Sequence, residues 1–221
     1  MISKLPRWVE YGAFVLALVA GCVNAVGLLG FKHQSVSHLS GIATRLGADI
    51  VQSAFPDVLD LTTIIISFLI GSAISGYFLR SEALKLGRNY SGLLVLEAML
   101  LFIAVYLLSK DGFGGIYFAS VACGLQNALA TTYSGAVVRT THITGIVTDL
   151  GIMLGAKLRG EAFDRRKLFL FLLIIIGFIV GGIVGTYTFS LLQFNALFIP
   201  ASICLLLAVS YSVYNAKYDL H

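Results

Sequence analysis

Six runs of mainly apolar residues divide the chain, at about 8–30, 59–79, 90–108, 113–133, 167–189 and 194–214. Each approaches the ~20 residues a helix needs to cross the hydrocarbon of a bilayer. Two further segments, about 36–54 and 139–156, are only half apolar. The first holds His38, Ser40, Thr44, Arg45 and Asp49; the second holds Arg139, His142, Thr144, Thr148 and Asp149. They are too apolar for surface loops and too polar to face lipid. The pattern predicts an all-α integral membrane protein with six transmembrane helices and two polar re-entrant or half-helices, in a single membrane domain over 1–221.

Composition supports this. Hydrophobic residues make up 58% of the 221, charged residues 12%, and mean hydropathy is +0.91. A soluble domain carries about 25% charged residues, so lipid must supply much of the surroundings. The net charge of +4 is too small to point to nucleic acid, and cytoplasmic Lys and Arg account for a pI near 9.0. Lys4 and Arg7 precede an apolar run ending Val19-Ala20-Gly21-Cys22, which resembles a lipoprotein signal. The membrane-like sequence that follows favours a retained first span instead. Cys22, Cys123 and Cys204 all lie in apolar runs, with no spacing that suggests a disulfide framework or a zinc site.

Basic residues set the orientation. They cluster at Lys4 and Arg7, at Arg80, Lys85 and Arg88, and between Lys157 and Lys167. If the two polar segments cross the membrane fully, the second and third clusters fall opposite the first. If each segment enters and leaves on one side, all three clusters and both termini lie in the cytoplasm, as the positive-inside rule prefers. The expectation is therefore a multi-pass protein of the cell (inner) membrane with both termini cytoplasmic.

The chain also repeats itself. Gly21-Cys22-Val23-Asn24-Ala25 returns as Gly124-Leu125-Gln126-Asn127-Ala128. The run from His38 to Gly47 returns from His142 to Gly151 as His, aliphatic, hydroxyl, Gly, Ile, any residue, Thr, charge, Leu, Gly. Asn and His are 14 residues apart in the first half and 15 in the second. Phe68, Gly71 and Tyr77 are echoed by Phe178, Gly181 and Tyr187. The repeats cover about 8–108 and 113–214, each with three spans and one polar segment. An odd number of spans inverts the second unit, giving a 3+3 inverted repeat of the kind many transporters use.

These motifs resemble the YoaK family of bacterial membrane proteins, a domain of unknown function, over about residues 10–210. The most specific stretches are Gly124 to Ala128 and Thr141-His142-Ile143-Thr144-Gly145. Family members often carry Gly-x-x-Asp-Ala in the first motif and Thr-Gly-Asn in the first polar segment. Asn24 replaces that acid here, and Ser40-Gly41-Ile42 replaces Thr-Gly-Asn. The resemblance implies a polytopic bacterial membrane protein and names no substrate.

Helices beginning near Ser40-Gly41 and Thr144-Gly145 would present free N–H groups and a positive dipole end, which suits an anion or a polar oxygen. Gly41 and Gly145 would allow a ligand close to the backbone, and Thr44 and Thr148 lie one turn on. Asn24, Gln126 and Asn127 bring amides to the same depth, and each needs a partner in lipid. Ordinary capping and hydrogen-bonded packing are the competing readings. His38 and His142 suit hydrogen bonding or pH sensing better than metal binding, since further ligands are missing. Arg45 and Asp149 occupy equivalent places with opposite charge and are candidates for a pair across the repeat axis, although Asp49 stands four residues from Arg45. Glu97 lies within Leu-Val-Leu-Glu-Ala-Met-Leu-Leu, has no repeat counterpart, and is a candidate for proton coupling. Gly71/Ser75, Ser72/Gly76 and Gly181/Gly185 have the spacing that lets helices approach closely, within one chain or between copies.

The sequence thus favours a transporter or channel, without cofactor or metal, for a small polar or anionic solute. Alternatives are a membrane-embedded enzyme, for which no nucleophile and base can be assembled, and a structural subunit without transport activity.

Overall fold

The computed structural model describes residues 8–30, 35–79, 89–110, 112–134 and 138–218. Every regular element among them is helical. In chain order these are α1 (Trp8–Gly30), α2 (Leu39–Val51), α3 (Phe55–Phe78), α4 (Asn89–Leu108), α5 (Gly115–Tyr133), α6 (Ile143–Leu158), α7 (Arg165–Leu192), a 3-10 turn (Gln193–Leu197) and α8 (Phe198–Tyr218). The basic residues Lys4, Arg7, Arg80, Lys85 and Arg88 lie outside the described residues.

Four stretches are long and apolar enough to cross a membrane: Trp8–Gly30, Phe55–Phe78, Asn89–Leu108 and Arg165–Ala216, the last running through α7 and α8. The run at 113–133 folds as α5 but is not among them. Ser120, Gln126, Asn127, Thr131 and Thr132 lower its hydropathy, and it is enclosed by α3 and α4 rather than turned outward. The outer faces of α3, α7 and α8 expose Leu69, Ile183 and Leu206, an apolar surface that lipid covers at little cost.

Local chemistry sets several helix ends. Pro56 opens α3, where its missing N–H has no helical partner to lose. Asp164 caps α7, accepting from the N–H groups of Arg166 and Lys167 at 3.0 Å each. Gly160, at φ +87°, turns the chain between α6 and α7. The two polar segments begin alike: His38 (φ −94°, ψ 70°) and His142 (φ −91°, ψ 54°) precede α2 and α6 in nearly one conformation. With 13 and 16 residues, α2 and α6 reach only ~20 and ~24 Å, short of a ~30 Å hydrocarbon layer.

Helices pack mainly across the two halves. α1 lies along α7 and α3 along α5, while α4 contacts α5 and α8; α2 rests on α3 and α6 on α7. Glycines set the closest approaches. A Cβ on Gly21 would overlap the carbonyl oxygen of Phe178, and one on Gly124 would overlap that of Phe68. In return, Gly181 abuts the Leu18 carbonyl and Gly71 the Val121 carbonyl. Each pair runs parallel. α1 and α5 run antiparallel: Trp8 and Val9, at the start of α1, share a crevice with Ala130 and Ser134, at the end of α5. One partly buried ion pair, Arg166 Nε to Glu10 Oε1 at 2.6 Å, ties the first turns of α1 and α7.

Candidate functional site

The starts of α2 and α6, one from each half, reach the same cavity. It holds about 650 Å³. α3 forms one wall, from Phe68 near its middle to Ser72 and Gly76; the last turns of α5, with Asn127, Thr131 and Thr132, form another. Of the residues that sequence reasoning proposed, His38, Ser40, Asn127, His142 and Thr144 line it.

The lining is rich in hydroxyls and carries one fixed charge, the guanidinium of Arg139. No Asp or Glu lines the cavity among the described residues, and Arg139 has no ion-pair partner among them. The first N–H groups of α2 and α6 have no acceptor within their own helices. Charge, dipole ends and hydroxyl donors therefore all favour an anionic or oxygen-rich ligand.

Both histidines sit over their own helix starts. Ser40 Oγ and His38 Nε2 are 3.0 Å apart, and a Cβ on Gly145 would collide with the imidazole of His142. The group lying against Gly41 and against Gly145 is in each case the histidine three residues before it. Thr44 and Thr148 do not line the cavity. Each hydroxyl bonds the carbonyl one turn back, of Ser40 and Thr144, at 2.9 Å.

The amides separate by role. Gln126 is buried and donates through Nε2 to the Leu16 carbonyl at 3.1 Å, joining α5 to α1 away from the cavity. Asn24 is not in the lining but accepts from the hydroxyls of Ser35 and Ser37, the latter at 2.8 Å, and Ser37 lines the cavity. Only Asn127 reaches the lining, with its Oδ1 buried and unpartnered among the described residues.

The proposed Arg45–Asp149 pair does not form. Arg45 pairs with Asp49 on the same helix face at 3.6 Å, and Asp149 with Lys167 of α7 at 3.8 Å. The reason is divergence. α2 doubles back along α3 and α6 along α7, so residues deeper in each helix move apart from the shared entrance. Glu97 does not line the cavity either. It is buried on α4, near Cys204, and its Oε2 has no partner among the described residues. No group of three His, Cys, Asp or Glu among the described residues is placed to hold a metal ion.

Sequence reasoning did not assign Ser37, Thr131, Thr132, Arg139 and Thr141 to the site, and it read Ser72 only as a packing residue. Arg139 was visible as a charge at the edge of a polar segment. Counting back from His142 as from His38 would have set it opposite Ser35, beside the matched asparagines.

The family model described as "Protein of unknown function (DUF1275)" matches residues 12–210. Over 179 residues the chain is 26% identical to the "UPF0700 transmembrane protein YoaK" of Bacillus subtilis (strain 168), covering 77% of this chain and 79% of that one. No solved structure matches.

Proposed function

The chain belongs to this family of membrane proteins of unknown function, and from that premise we propose that it carries or conducts a small anionic or polar solute across the bacterial inner membrane. The observation that bears the proposal is the shared cavity. Two helix starts from opposite halves, two imidazoles, a ring of hydroxyls and an Arg139 without an ion-pair partner among the described residues face about 650 Å³ of space with no carboxylate among the described lining. That volume lies in the 300–1,000 Å³ range typical of small-molecule sites.

The same reading treats the molecule as an inverted repeat of six spans and two half-helices. Three observations support it. Packing partners exchange between the halves, α1 on α7 and α3 on α5. The glycine contacts recur at matched positions, and the equivalent helices α1 and α5 run in opposite directions. α2 and α6 then enter from opposite faces without crossing, and both termini lie in the cytoplasm. Sites where half-helices meet near the midplane are a known use of this architecture.

Purified protein in liposomes tests the proposal. Uptake of small organic and inorganic anions, followed by radiolabel or a halide-sensitive dye, should exceed that of protein-free vesicles. Arg139→Gln should remove most of it. Thr144→Val, which deletes one hydroxyl, should weaken apparent affinity about two- to twelve-fold, the worth of one net hydrogen bond. Both variants should elute as the unaltered protein does on gel filtration. No flux for any anion or small polar solute would reject transport and leave an enzyme or a structural subunit to consider.

A further inference from the structure

The two halves hold matching groups in different states. In the first, the Asn24 side-chain oxygen accepts from Ser35 and Ser37. Val36, between those serines, is fully buried against Gly27 of α1. The segment before α2 is thus latched onto its own span. In the second half, Asn127 occupies the same place on α5, yet its Oδ1 is buried with no partner among the described residues. Thr140 stands thirteen residues after Asn127, as Ser37 stands thirteen after Asn24. Its hydroxyl is buried and unpartnered as well, by the same reckoning. One half has a made latch. The other has an acceptor at the matching place and, at the same count from it along the chain, a hydroxyl, both buried and unused, and native proteins keep few such groups without a reason. Asn127 itself lines the cavity, whereas Asn24 stands behind its bonded Ser37, which lines it.

We infer that the protein is an alternating carrier rather than a channel, and that Asn24 and Asn127 are latched in turn. In the state seen here the first latch is made and the second is not. In the other state Thr140 bonds Asn127, Ser37 leaves Asn24, and the cavity opens on the opposite side. The exchange breaks one hydroxyl–amide latch as it makes another, so the two states stay near each other in energy and a bound solute can shift their populations. A channel has no use for latches that alternate. This inference rests on the transport reading and deepens it.

Accessibility tests it without the solute. In a background lacking Cys22, Cys123 and Cys204, single reporters are placed by Ser72→Cys, on the cavity wall, and by Gly182→Cys, its repeat equivalent. An added Cβ on Gly182 meets no atom within 4 Å. Sealed vesicles are treated from either face with a membrane-impermeant thiol reagent. With the native latch, the first reporter should react about ten-fold faster from its open face than the second does from the other, a bias that small state-selective free energies produce. Asn24→Leu, which cannot accept from Ser37, should raise the rate of the second reporter and lower that of the first. Ser37→Ala should do the same if Asn24→Leu accumulates poorly, and Ser37→Thr, which keeps the donor, should retain the native ratio. Unchanged rates in both latch variants, or rates that rise together, would overturn alternation. Liposome flux is scored separately, so failure of the latch and failure of transport are distinguishable.

Discussion

Gly21, Gly124, Gly71 and Gly181 determine how near two helices can come, because each faces a carbonyl of its neighbour where a methyl group would collide. Backbone on both sides leaves no side chain to yield. Gly21→Ala and Gly124→Ala should each destabilise by about 1–3 kcal/mol, the usual cost of overpacking. Gly151→Ala, in open space, should have no such effect. Loss of the monodisperse gel-filtration peak after heating in detergent measures all three; equal midpoints would show that these seams are looser than described. At this scale the repeat made much of the site readable. His38, Ser40, Asn127, His142 and Thr144, which the repeat singles out, all line the cavity. Thr131 and Thr132 were not, since their counterparts Leu28 and Leu29 carry no polar group. A repeat reveals what two halves share, and the cavity also uses what only one half has.

Among the elements, the seam between α1 and α7 has a polar clasp where they begin. Arg166 and Glu10 meet at 2.6 Å, with side-chain exposures of 30% and 11%. The matching seam of α3 and α5 is tied instead by Tyr117 donating to Asp60 at 2.9 Å. Removing one member of a partly buried pair deprives the other of this partner. Glu10→Gln or Arg166→Gln alone should therefore lower the melting midpoint by more than the double variant does per site. Strict additivity in this cycle would show that the pair contributes nothing as a pair. Helix type was readable in every segment, including the two short polar ones, since half-apolar stretches of that length suit neither lipid nor loop. Their pairing was not. Equal positions in two repeats suggest proximity only near the axis, and Arg45 and Asp149 lie about two helical turns beyond the histidines that mark it.

For the molecule as a whole, orientation remains the property with the most direct check. If α2 and α6 turn back within the membrane, residues 84 and 162 both face the cytoplasm. Cysteines placed there, in a background lacking the native three, should react with an impermeant reagent only after cells are opened. Labelling of either from outside intact cells would mean that the polar segments cross completely. The basic clusters carried this reading from the start, and the lengths of α2 and α6 agree with it. The arrangement of the halves could not be read from the linear sequence, since two repeats can fold side by side or entwined.

They are entwined. α1 finds its principal partner in α7 and α5 finds its own in α3, so neither half is a self-sufficient unit. During synthesis, α1 must wait in the bilayer while six more helices are made, on the order of ten seconds at ribosomal rates. Its mean hydropathy of 2.2 over a span-length window lets lipid shelter it through that interval. Biogenesis is thus late-closing: a chain that stops before α7 leaves α1 without its main partner, and a quality-control protease that reads exposed Gly21 on that orphan helix would find its target there until about the last quarter of the protein arrives.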